Sequence, residues 1–237
     1  MINVDKGMNW QILIDFDGTV TRKDTTDLLL EHFALPEWRD IEAEWLSGQI
    51  GSLDCMRRQV DLLRVTPTEL NAFIETIEPD WNFKSFIRMC QRLNLPVKIV
   101  SDGLDWTVRA VLRRIGLDGL TIAANHLEHA GGDRWVLTSP HAKPECRAAA
   151  GTCKCAVAAQ RTAQMTVLIG DGKSDMCLAE EADLVFAKAG LLQFCRENAL
   201  PHQAFETFAD VSEMLARFVE TGKTPAFIYE QALSLPQ

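Results

Sequence analysis

Long apolar segments are missing from this 237-residue chain. No stretch approaches the roughly 18 uninterrupted apolar residues that a membrane-spanning helix needs. The opening segment, residues 1–10, is polar and does not carry the basic and apolar regions of a signal peptide. We therefore predict a cytoplasmic protein that neither crosses nor binds a membrane.

An excess of positive charge is also missing. Lys and Arg together number 24 against 33 Asp and Glu, which gives a formal net charge of −9. Such an acidic surface repels nucleic acid and anionic lipid. We therefore expect no nucleic-acid partner, and a small anionic ligand would need a metal ion or a local basic pocket in order to bind. The sequence does not indicate an oligomeric state.

The seven cysteines do not form a recognisable disulfide framework. Their number is odd and no export signal precedes them, so reduced thiols are the expected state. One cluster could instead bind zinc, although its spacing is not that of a recognised zinc finger and buried reduced cysteines are the more common arrangement. This cluster comprises His141, Cys146, Cys153 and Cys155.

The chain does have the composition of a globular protein, with 47% hydrophobic and 24% charged residues. Along the sequence, short apolar runs alternate with amphipathic segments. The apolar runs predict buried strands and the amphipathic segments predict helices. This alternation favours a doubly wound α/β fold, a parallel sheet with helices on both faces. The predicted strands are Trp10–Asp15, Pro96–Ser101, Met165–Gly170 and Leu184–Ala187, with a hairpin of Leu120–Ala124 and Trp135–Leu137 that turns at Gly131-Gly132.

A block at about 24–79, inserted after the first strand, is predicted to be wholly helical. Within it, Thr66-Pro67-Thr68-Glu69 has the N-cap, the proline and the capping-box glutamate of a helix start. Because ligands of such sheets bind beyond the carboxyl ends of the strands, this block would form a cap over that edge. We predict a helical cap at 22–81 and an α/β core formed by 1–21 and 82–237. Further core helices are predicted up to Gly116, over Ala156–Gln164 and over about Asp210–Thr221, the last stopping at Gly222.

The first strand is followed by Asp15-Phe16-Asp17-Gly18-Thr19, which offers two groups that phosphoryl transfer needs. Asp15 can attack phosphorus as a carboxylate and form an aspartyl-phosphate. Asp17 can protonate the leaving oxygen and then accept a proton from water. Gly18 lets the backbone approach a phosphate closely. An ordinary strand followed by an Asp/Gly turn would have a similar sequence, so this motif alone leaves both interpretations open.

Two later strands also end in polar turns. Ser101-Asp102-Gly103 offers a hydroxyl and free backbone amides to a phosphate, or forms a plain helix-entry cap. Gly170–Asp175 adds two carboxylates, Asp171 and Asp175, at a spacing that could ligate or orient Mg²⁺, a hard cation that prefers oxygen ligands. The alternative there is a polar turn at a helix N-terminus. Lys154, just before the helix that leads into this strand, could neutralise a phosphate and an attacking carboxylate.

Taken in order, DFDGT, SDG, the lysine and GDGKSD resemble the four motifs of the haloacid dehalogenase superfamily. The resemblance implies a Rossmannoid, haloacid dehalogenase-like fold with a helical cap inserted between the first two motifs. It implies a Mg²⁺-dependent phosphatase of small phosphorylated metabolites, with Asp15 as nucleophile and Asp17 as acid and base. It further implies Ser101 and Lys154 as phosphate ligands, and Mg²⁺ held by Asp15, the backbone carbonyl of Asp17, Asp171 and Asp175.

Four segments are similar to the phosphatases that act on 2-hydroxy-3-keto-5-methylthiopentenyl-1-phosphate in methionine salvage. They are DFDGTVTRKDTTD, Ser139-Pro140-His141 with Cys146, Gly151–Lys154, and FAKAGLLQFCRENAL. The phosphoethanolamine/phosphocholine phosphatases remain an alternative, because they share a cysteine before the lysine and a GDG motif that ends in Cys177. Phosphoserine phosphatases are similar in cap placement but differ at Gly18 and Ser174. A phosphotransferase or phosphomutase, or a non-catalytic binding protein, could use the same scaffold.

Two cap residues are candidates for contact with the rest of a substrate. Asp24 lies nine residues after Asp15, at an acidic position that faces the substrate in the families resembled, although it could equally be a helix N-cap. Arg57 could reach an anionic substrate group from the cap, although arginines on helices usually lie in solvent.

Overall fold

The computed structural model describes residues 9–161, 163 and 165–221. Over these residues the chain forms a seven-stranded sheet in the order β4-β3-β2-β1-β5-β6-β7. Neighbouring strands are parallel except β3 and β4, which form an antiparallel hairpin. The predicted α/β fold is confirmed. The strands are β1 (Trp10–Ile14), β2 (Val97–Leu104), β3 (Thr121–Gly131), β4 (Arg134–Thr138), β5 (Met165–Gly170), β6 (Leu184–Ala187) and β7 (His202–Ala204).

Ten α-helices lie within the described residues, together with a short 3-10 helix at Lys173–Asp175. None of the helices there is long and apolar enough to cross a membrane. The helices are α1 (Thr25–Phe33), α2 (Trp38–Leu46), α3 (Ser52–Asp61), α4 (Pro67–Ile74), α5 (Phe83–Arg92), α6 (Asp105–Arg114), α7 (Lys154–Ala158), α8 (Met176–Ala179), α9 (Ala189–Glu197) and α10 (Phe208–Thr221).

Both faces of the sheet are covered, which explains why its central strands were easy to predict. Ile12 and Ile14 of β1 pack on one side with the aromatic residues of α5 and α10. Leu13 packs on the other side with apolar residues of α7, α8 and α9. Strands buried on two faces appear in the sequence as apolar runs rather than as alternating patterns. The predictions for β5 and β6 match residue for residue.

The edges of the sheet were harder to predict. The hairpin of β3 and β4 is present, with longer arms than expected. Strand β7 was not predicted, because it has only three residues and none of them is buried. An edge strand of this kind carries no apolar run that would distinguish it from a loop.

The helical insertion is present between β1 and α5. Residues 22–81, all of them described, contain α1 to α4, and Thr66 and Glu69 form the predicted capping box at the start of α4. The chain enters and leaves this insertion side by side, because Arg22 N donates to Glu78 O at 3.0 Å and Asp80 N donates to Val20 O at 2.8 Å. The division into a core of 1–21 and 82–237 and a cap of 22–81 remains a prediction.

One core helix differs from its prediction. Helix α7 spans Lys154–Ala158 rather than Ala156–Gln164. Its start gave no sequence signal, because Cys153 precedes the helix without capping it through its side chain. Lys154 therefore lies in the first turn of α7 rather than before it. Gln164, the N-terminal residues 1–8 and the predicted helix stop at Gly222 lie outside the described residues.

Candidate active site

The register of the central strands brings the sequence motifs to one edge of the sheet. Ile14 of β1 pairs with Ile169 of β5, and Asp15 N donates to Ile169 O at 2.9 Å. Asp15 therefore lies beside the turn that follows β5 and carries Asp171. Because β2 flanks β1 on its other side, Ser101 also reaches this edge.

Asp15, Lys154 and Asp175 form a buried ion-pair network. Lys154 Nζ lies 2.6 Å from Asp15 Oδ1, 2.6 Å from Asp175 Oδ1 and 3.0 Å from Ser174 Oγ. The relative exposure of these residues is 5% for Asp15, 4% for Lys154 and 0% for Asp175. The ammonium thus lies between two carboxylates. Pairing of the three charged groups offsets the cost of burying each of them.

Three carboxylates of the site converge closely enough to hold one cation. Ligand oxygens of Asp15, Asp171 and Asp175 lie within 4.8 Å of one another, and no other such group of acidic, histidine or cysteine residues occurs among the described residues. Thr19 Oγ1 donates to Asp171 Oδ1 at 2.6 Å. Oxygen-only ligation of this kind suits a hard divalent cation.

Burial and, to a smaller extent, mutual repulsion raise the pKa values of the clustered carboxylates. Burial, followed by the charge of Asp175, raises the pKa of Asp15 well above its ordinary value. Burial also raises the pKa of Asp171. Burial lowers the pKa of Lys154, but the charges of Asp15 and Asp175 outweigh it, so that the lysine stays protonated. One lysine cannot balance three carboxylates, so the cluster fits an additional cation.

Asp17 lies in a different environment from Asp15, although only Phe16 separates them. Asp17 Oδ1 accepts a hydrogen bond from Thr25 N at 3.0 Å and another from the Thr25 hydroxyl. Ser101 Oγ donates to Asp17 Oδ2 at 3.3 Å. Burial raises the pKa of Asp17, against the effect of these hydrogen bonds. The side chain is therefore held by neutral donors and can change its protonation state without breaking an ion pair.

Two glycines are required where the backbone passes close to these carboxylates. Gly18 has φ of +72°, and a Cβ there would lie 2.5 Å from Asp171 Oδ2. A Cβ on Gly103 would collide with the carboxylate of Asp17. Gly103 N donates to Ser101 Oγ at 2.9 Å, which orients that hydroxyl toward Asp17.

Asp102 has contacts that the sequence did not predict. Its carboxylate accepts hydrogen bonds from Ser52 Oγ, from Thr152 N at 2.8 Å and from Asn125 Nδ2 at 3.2 Å. A carboxylate would repel a phosphate, so any contribution of Asp102 to phosphate binding would come from its backbone amide. Its proposed place among the phosphate-binding residues remains a prediction.

A cavity of about 200 Å³ connects the motif residues to the cap. Its floor is formed by Asp15, Asp17, Ser101 and Asp171, and its cap side includes Asp24, Asp27, Glu42, Trp45, Met56 and Gln59. Desolvation by the surrounding protein, followed by the charge of Asp17, raises the pKa of Asp24 well above its ordinary value even though the cavity admits solvent to it. Desolvation and the charge of Glu42 raise the pKa of Asp27 to about 6.

The two cap candidates differ in outcome. Asp24 caps α1, since its Oδ1 accepts a hydrogen bond from Asp27 N at 2.9 Å, and it also lines the cavity. Asp24 is therefore a helix N-cap that also lines the cavity, and its contact with a substrate remains a prediction. Arg57 is exposed and is not among the cavity residues. The neighbouring Arg58 is paired with Glu44 at 2.5 Å.

Sequence reasoning missed several residues that shape the site. Thr25 binds Asp17, Thr19 binds Asp171, and Lys188 Nζ lies 3.4 Å from Thr19 O. Lys188 belongs to the FAKAGLLQFCRENAL segment, so the resemblance in that segment was a signal that could have identified it. Thr25 carried no comparable signal, because a threonine near a helix start is common.

The four residues of the possible zinc cluster do not come together at metal-ligand spacing among the described residues. His141 lies outside the cavity that Cys146, Cys153, Cys155 and Cys177 line. Burial raises the pKa of Cys155 to about 12, so this thiol stays protonated at neutral pH. No described cysteine forms a disulfide.

Comparison with known proteins places this site in a family. A relative from Geobacillus kaustophilus (strain HTA426), named 2-hydroxy-3-keto-5-methylthiopentenyl-1-phosphate phosphatase, is 32% identical over an alignment of 214 residues that covers 87% of this chain and 95% of the relative. A relative of the same name from Brevibacillus brevis (strain 47 / JCM 6285 / NBRC 100599) is 30% identical over an alignment of 214 residues that covers 86% of this chain and 94% of the relative.

Solved structures with the same fold are more distant in sequence. A phosphoserine phosphatase, solved as an analogue of its phospho-aspartyl intermediate, gives a TM-score of 0.65 at 23% identity and covers 89% of this chain and 99% of that chain. A phosphoserine phosphohydrolase-like protein from Francisella tularensis subsp. tularensis SCHU S4 also gives a TM-score of 0.65, at 16% identity, with coverage of 86% and 98%. At these identities the similarity shows the fold alone.

The family model that matches the chain spans the motifs described above. It is described as haloacid dehalogenase-like hydrolase and covers residues 12–180, from the first strand to the end of α8. The chain belongs to the haloacid dehalogenase-like hydrolase family.

Proposed function

We propose that this chain is a Mg²⁺-dependent phosphomonoester hydrolase that works through an aspartyl-phosphate. The observation that carries the proposal is the pairing of Asp15 with Lys154 at 2.6 Å, beside Asp17 at the floor of the cavity. The name shared by the relatives supports phosphatase chemistry. Asp15 supplies the carboxylate oxygen that attacks phosphorus, and this attack divides hydrolysis into the formation and the breakdown of a covalent intermediate.

Lys154 and Ser101 bind the phosphoryl group during this attack. The ammonium of Lys154 lowers the pKa of Asp15 against the larger effects of burial and of the charge of Asp175, and it offers charge to the phosphate oxygens. Ser101 is fully buried, and its hydroxyl is oriented by Gly103 N. Gly18 N donates to Lys23 O and to Thr21 Oγ1, each at 3.3 Å, and Gly18 is not among the cavity residues, so its contact with a phosphate remains a prediction.

Asp17 is the acid and base of the proposed mechanism. Its raised pKa favours the protonated form, which donates a proton to the leaving oxygen. The resulting carboxylate then accepts a proton from the water that attacks the aspartyl-phosphate. Thr25 and Ser101 hold the side chain in place throughout, because they donate to both of its oxygens.

The cation that fits the carboxylate cluster is Mg²⁺. Asp15, Asp171 and Asp175 would hold it, with the backbone carbonyl of Asp17, and when bound it offsets the charge of the phosphoryl group. Asp175 contributes in a second way, since its Oδ2 accepts from Asp171 N at 3.3 Å and from Gly172 N at 3.2 Å and so fixes the turn.

The substrate we propose is the enol phosphate for which the relatives are named, 2-hydroxy-3-keto-5-methylthiopentenyl-1-phosphate. Trp45 and Met56 provide apolar surface in the cavity for a thioether tail. Trp38 and Leu63 are buried within the helical insertion and Leu46 is exposed, and none of the three lines the cavity. A carboxylate substrate such as phosphoserine would face a wall of acidic residues: Asp24, Asp27 and Glu42.

The same acidic wall favours a second candidate substrate. A primary or quaternary ammonium group would be attracted to Asp24, Asp27 and Glu42. Phosphoethanolamine and phosphocholine carry such a group at the end distant from phosphorus. They therefore remain the alternative substrates on the same catalytic scheme.

A phosphate-release assay tests both levels of the proposal. The purified chain with Mg²⁺ is given the salvage enol phosphate, phosphocholine, phosphoethanolamine and phosphoserine, and kcat/KM is compared. We expect the enol phosphate to be preferred. A tenfold preference for an ammonium substrate, about 1.4 kcal/mol in transition-state free energy, would overturn the substrate assignment while leaving the phosphatase in place.

The variant Asp15→Asn is the control for this assay. The amide keeps the shape of the side chain but cannot attack phosphorus, and it removes a buried charge. We expect a folded protein that releases no phosphate above background from any of these esters. Phosphate release close to wild type by Asp15→Asn would eliminate Asp15 as the nucleophile.

A further inference from the structure

Asp102 is a buried carboxylate that the proposed chemistry does not use. Its relative exposure is 7%, and burial raises its pKa. Its charge stays in the protein interior only because hydrogen-bond donors surround it. These donors come from three separate parts of the chain: Ser52 Oγ, Asn125 Nδ2 and Thr152 N.

One of these contacts and the covalent link to Ser101 join Asp102 to the phosphate-binding residues of the core. Asp102 directly follows Ser101, so the position of its side chain constrains the Ser101 hydroxyl. Thr152, whose amide donates to Asp102 Oδ1 at 2.8 Å, lies two residues before Lys154. One carboxylate therefore ties together the strand end that carries Ser101 and the loop that carries Lys154.

Asn125 holds this carboxylate in a single orientation. Asn125 is fully buried, and its Nδ2 donates both to Asp102 O at 2.6 Å and to Asp102 Oδ1 at 3.2 Å. Its Oδ1 accepts a hydrogen bond from Ser139 Oγ at 2.6 Å, which fixes the direction of the amide. A Cβ on Gly151 would collide with the Asn125 amide, so only glycine lets the Thr152 loop approach.

The third donor comes from the helical insertion. Ser52 is the first residue of α3, and its hydroxyl donates to Asp102 Oδ2. The surrounding contact is close: Leu53 N donates to Ala149 O at 2.9 Å, and a Cβ on Gly51 would collide with the side chain of Ala149. Ser52 reaches Asp102 only when the start of α3 lies against the core in this way.

We propose that Asp102 is a positioning residue through which the Ser52 contact between α3 and the core completes the phosphate-binding arrangement of Ser101 and Lys154. With Ser52 in place, every donor around the carboxylate is present and both phosphate-binding segments are held. Without the hydroxyl, the buried carboxylate lacks one donor, and the segments move to recover it. This inference rests on the proposed function, since it assigns a phosphate-binding role to Ser101 and Lys154.

The test is the affinity for inorganic phosphate, measured by titration calorimetry with Mg²⁺ present. This equilibrium readout depends neither on turnover nor on the active fraction of the preparation. We expect Ser52→Ala to raise the dissociation constant of phosphate about tenfold, with a similar rise in KM. Ser52→Thr, which keeps the hydroxyl, should remain close to wild type. Ser47→Ala is the matched control, because the Ser47 hydroxyl donates to the carbonyls of Ala43 and Glu44 and accepts from Gln49 Nε2, all of them local contacts at the end of α2.

A double-mutant cycle assigns the effect to Asp102. Asp102→Asn should weaken phosphate binding by itself, and Ser52→Ala should add nothing in the Asp102→Asn background. Additive losses, an unchanged phosphate affinity in Ser52→Ala, or an equal loss in Ser52→Thr would each overturn the inference. Failure of the proposed function has a different signature, since the wild-type chain would then release no phosphate from any monoester whatever its affinity for phosphate.

Discussion

At the scale of single residues, the environment of each carboxylate decides what it can do. Asp15 faces an ammonium group at 2.6 Å, whereas Asp17 is held by the neutral donors of Thr25 and Ser101. A positive partner favours the ionised carboxylate that a nucleophile requires, although burial and the charge of Asp175 outweigh Lys154 at Asp15, where a bound cation would favour ionisation further. A carboxylate held by neutral donors, with a raised pKa, can lose and regain a proton.

The proposed role of Asp17 predicts a dependence on the leaving group. Asp17→Asn should slow the hydrolysis of alkyl phosphates by about 10²–10⁴, the usual contribution of a positioned acid and base. The loss should be smaller for an aryl phosphate, whose leaving oxygen needs little protonation. Single-turnover rates for one alkyl and one aryl ester check this, because they isolate formation of the aspartyl-phosphate from its breakdown. An equal loss for both esters would contradict the assignment.

The acidic cavity wall predicts a pH-dependent stability. The pKa of Asp27 in the folded protein is about 6, while an unfolded chain has about 3.9. Between these values the folded state binds the extra proton, so the contribution of Asp27 to stability decreases as pH rises through this window. Asp27→Asn removes the titrating group and with it this pH-dependent decrease in the free energy of unfolding. The variant should therefore be more stable than wild type at pH 8 and differ little from it near pH 4.

Urea unfolding of the two proteins at several pH values measures this effect. Asp40→Asn is the matched control, since Asp40 occupies the first turn of α2 as Asp27 occupies the first turn of α1. The control substitution also removes a charge near a helix N-terminus. A stability difference between Asp27→Asn and wild type that stays constant from pH 4 to pH 8 would contradict a raised pKa of Asp27 in the folded protein.

At the scale of secondary-structure elements, local signals determine where several helices begin. Helix α4 starts with a complete capping box, in which Thr66 Oγ1 accepts from Glu69 N at 3.4 Å and Glu69 Oε2 accepts from Thr66 N at 2.9 Å. This motif satisfies backbone donors that a helix start would otherwise leave free. Helix α7 has no such signal, and its start at Lys154 was accordingly misplaced in the prediction.

The capping box predicts a measurable stability. Thr66→Ala should lower the free energy of unfolding by about 1 kcal/mol, because the helix start loses its side-chain cap. Thr68→Ala is the matched control in the same turn, since Thr68 is exposed. Denaturant titration of both variants gives the comparison, and kcat should stay unchanged because α4 does not line the cavity. Equal effects of the two substitutions would show that the capping box contributes nothing.

At the scale of the whole molecule, the parallel sheet gathers charges that lie far apart in the sequence. Asp15 follows β1, and Asp171 and Asp175 follow β5, yet their carboxylates converge within 4.8 Å. In a chain with a net charge of −9, this edge would repel a phosphate strongly. A bound cation is therefore the condition for binding an anionic substrate.

Metal removal tests this condition. Exhaustive chelation should abolish phosphate release, and added Mg²⁺ should restore it, whereas Ca²⁺ should inhibit because its looser coordination misplaces Asp15. Mg²⁺ should also raise the thermal midpoint of the substrate-free protein, since it relieves repulsion in the folded state only. Asp171→Asn should weaken this stabilisation. Full activity in the chelated protein would contradict the proposal.

Some features of this protein follow from the sequence by itself. The central strands, the hairpin and the capping box of α4 could be predicted because each depends on neighbouring residues: an apolar run, a pair of glycines, a threonine three positions before a glutamate. The order of the motifs along the chain likewise sufficed to indicate the family. Each of these signals is a pattern of residues that are close together in the sequence, so it can be recognised without knowledge of the fold.

Other features were decided only by the tertiary structure. Lys154 meets Asp15 across 139 positions of sequence, and Asp102 meets Ser52 across 50. The sequence offered Asp102 as a phosphate-binding residue, but packing surrounds its carboxylate with hydrogen-bond donors of the protein. The sequence also offered Arg57 as a substrate contact, but the Arg57 side chain is exposed. The groups that a side chain contacts depend on how the strands pair and where the helices pack. These long-range contacts cannot be inferred from residue type or from spacing along the sequence.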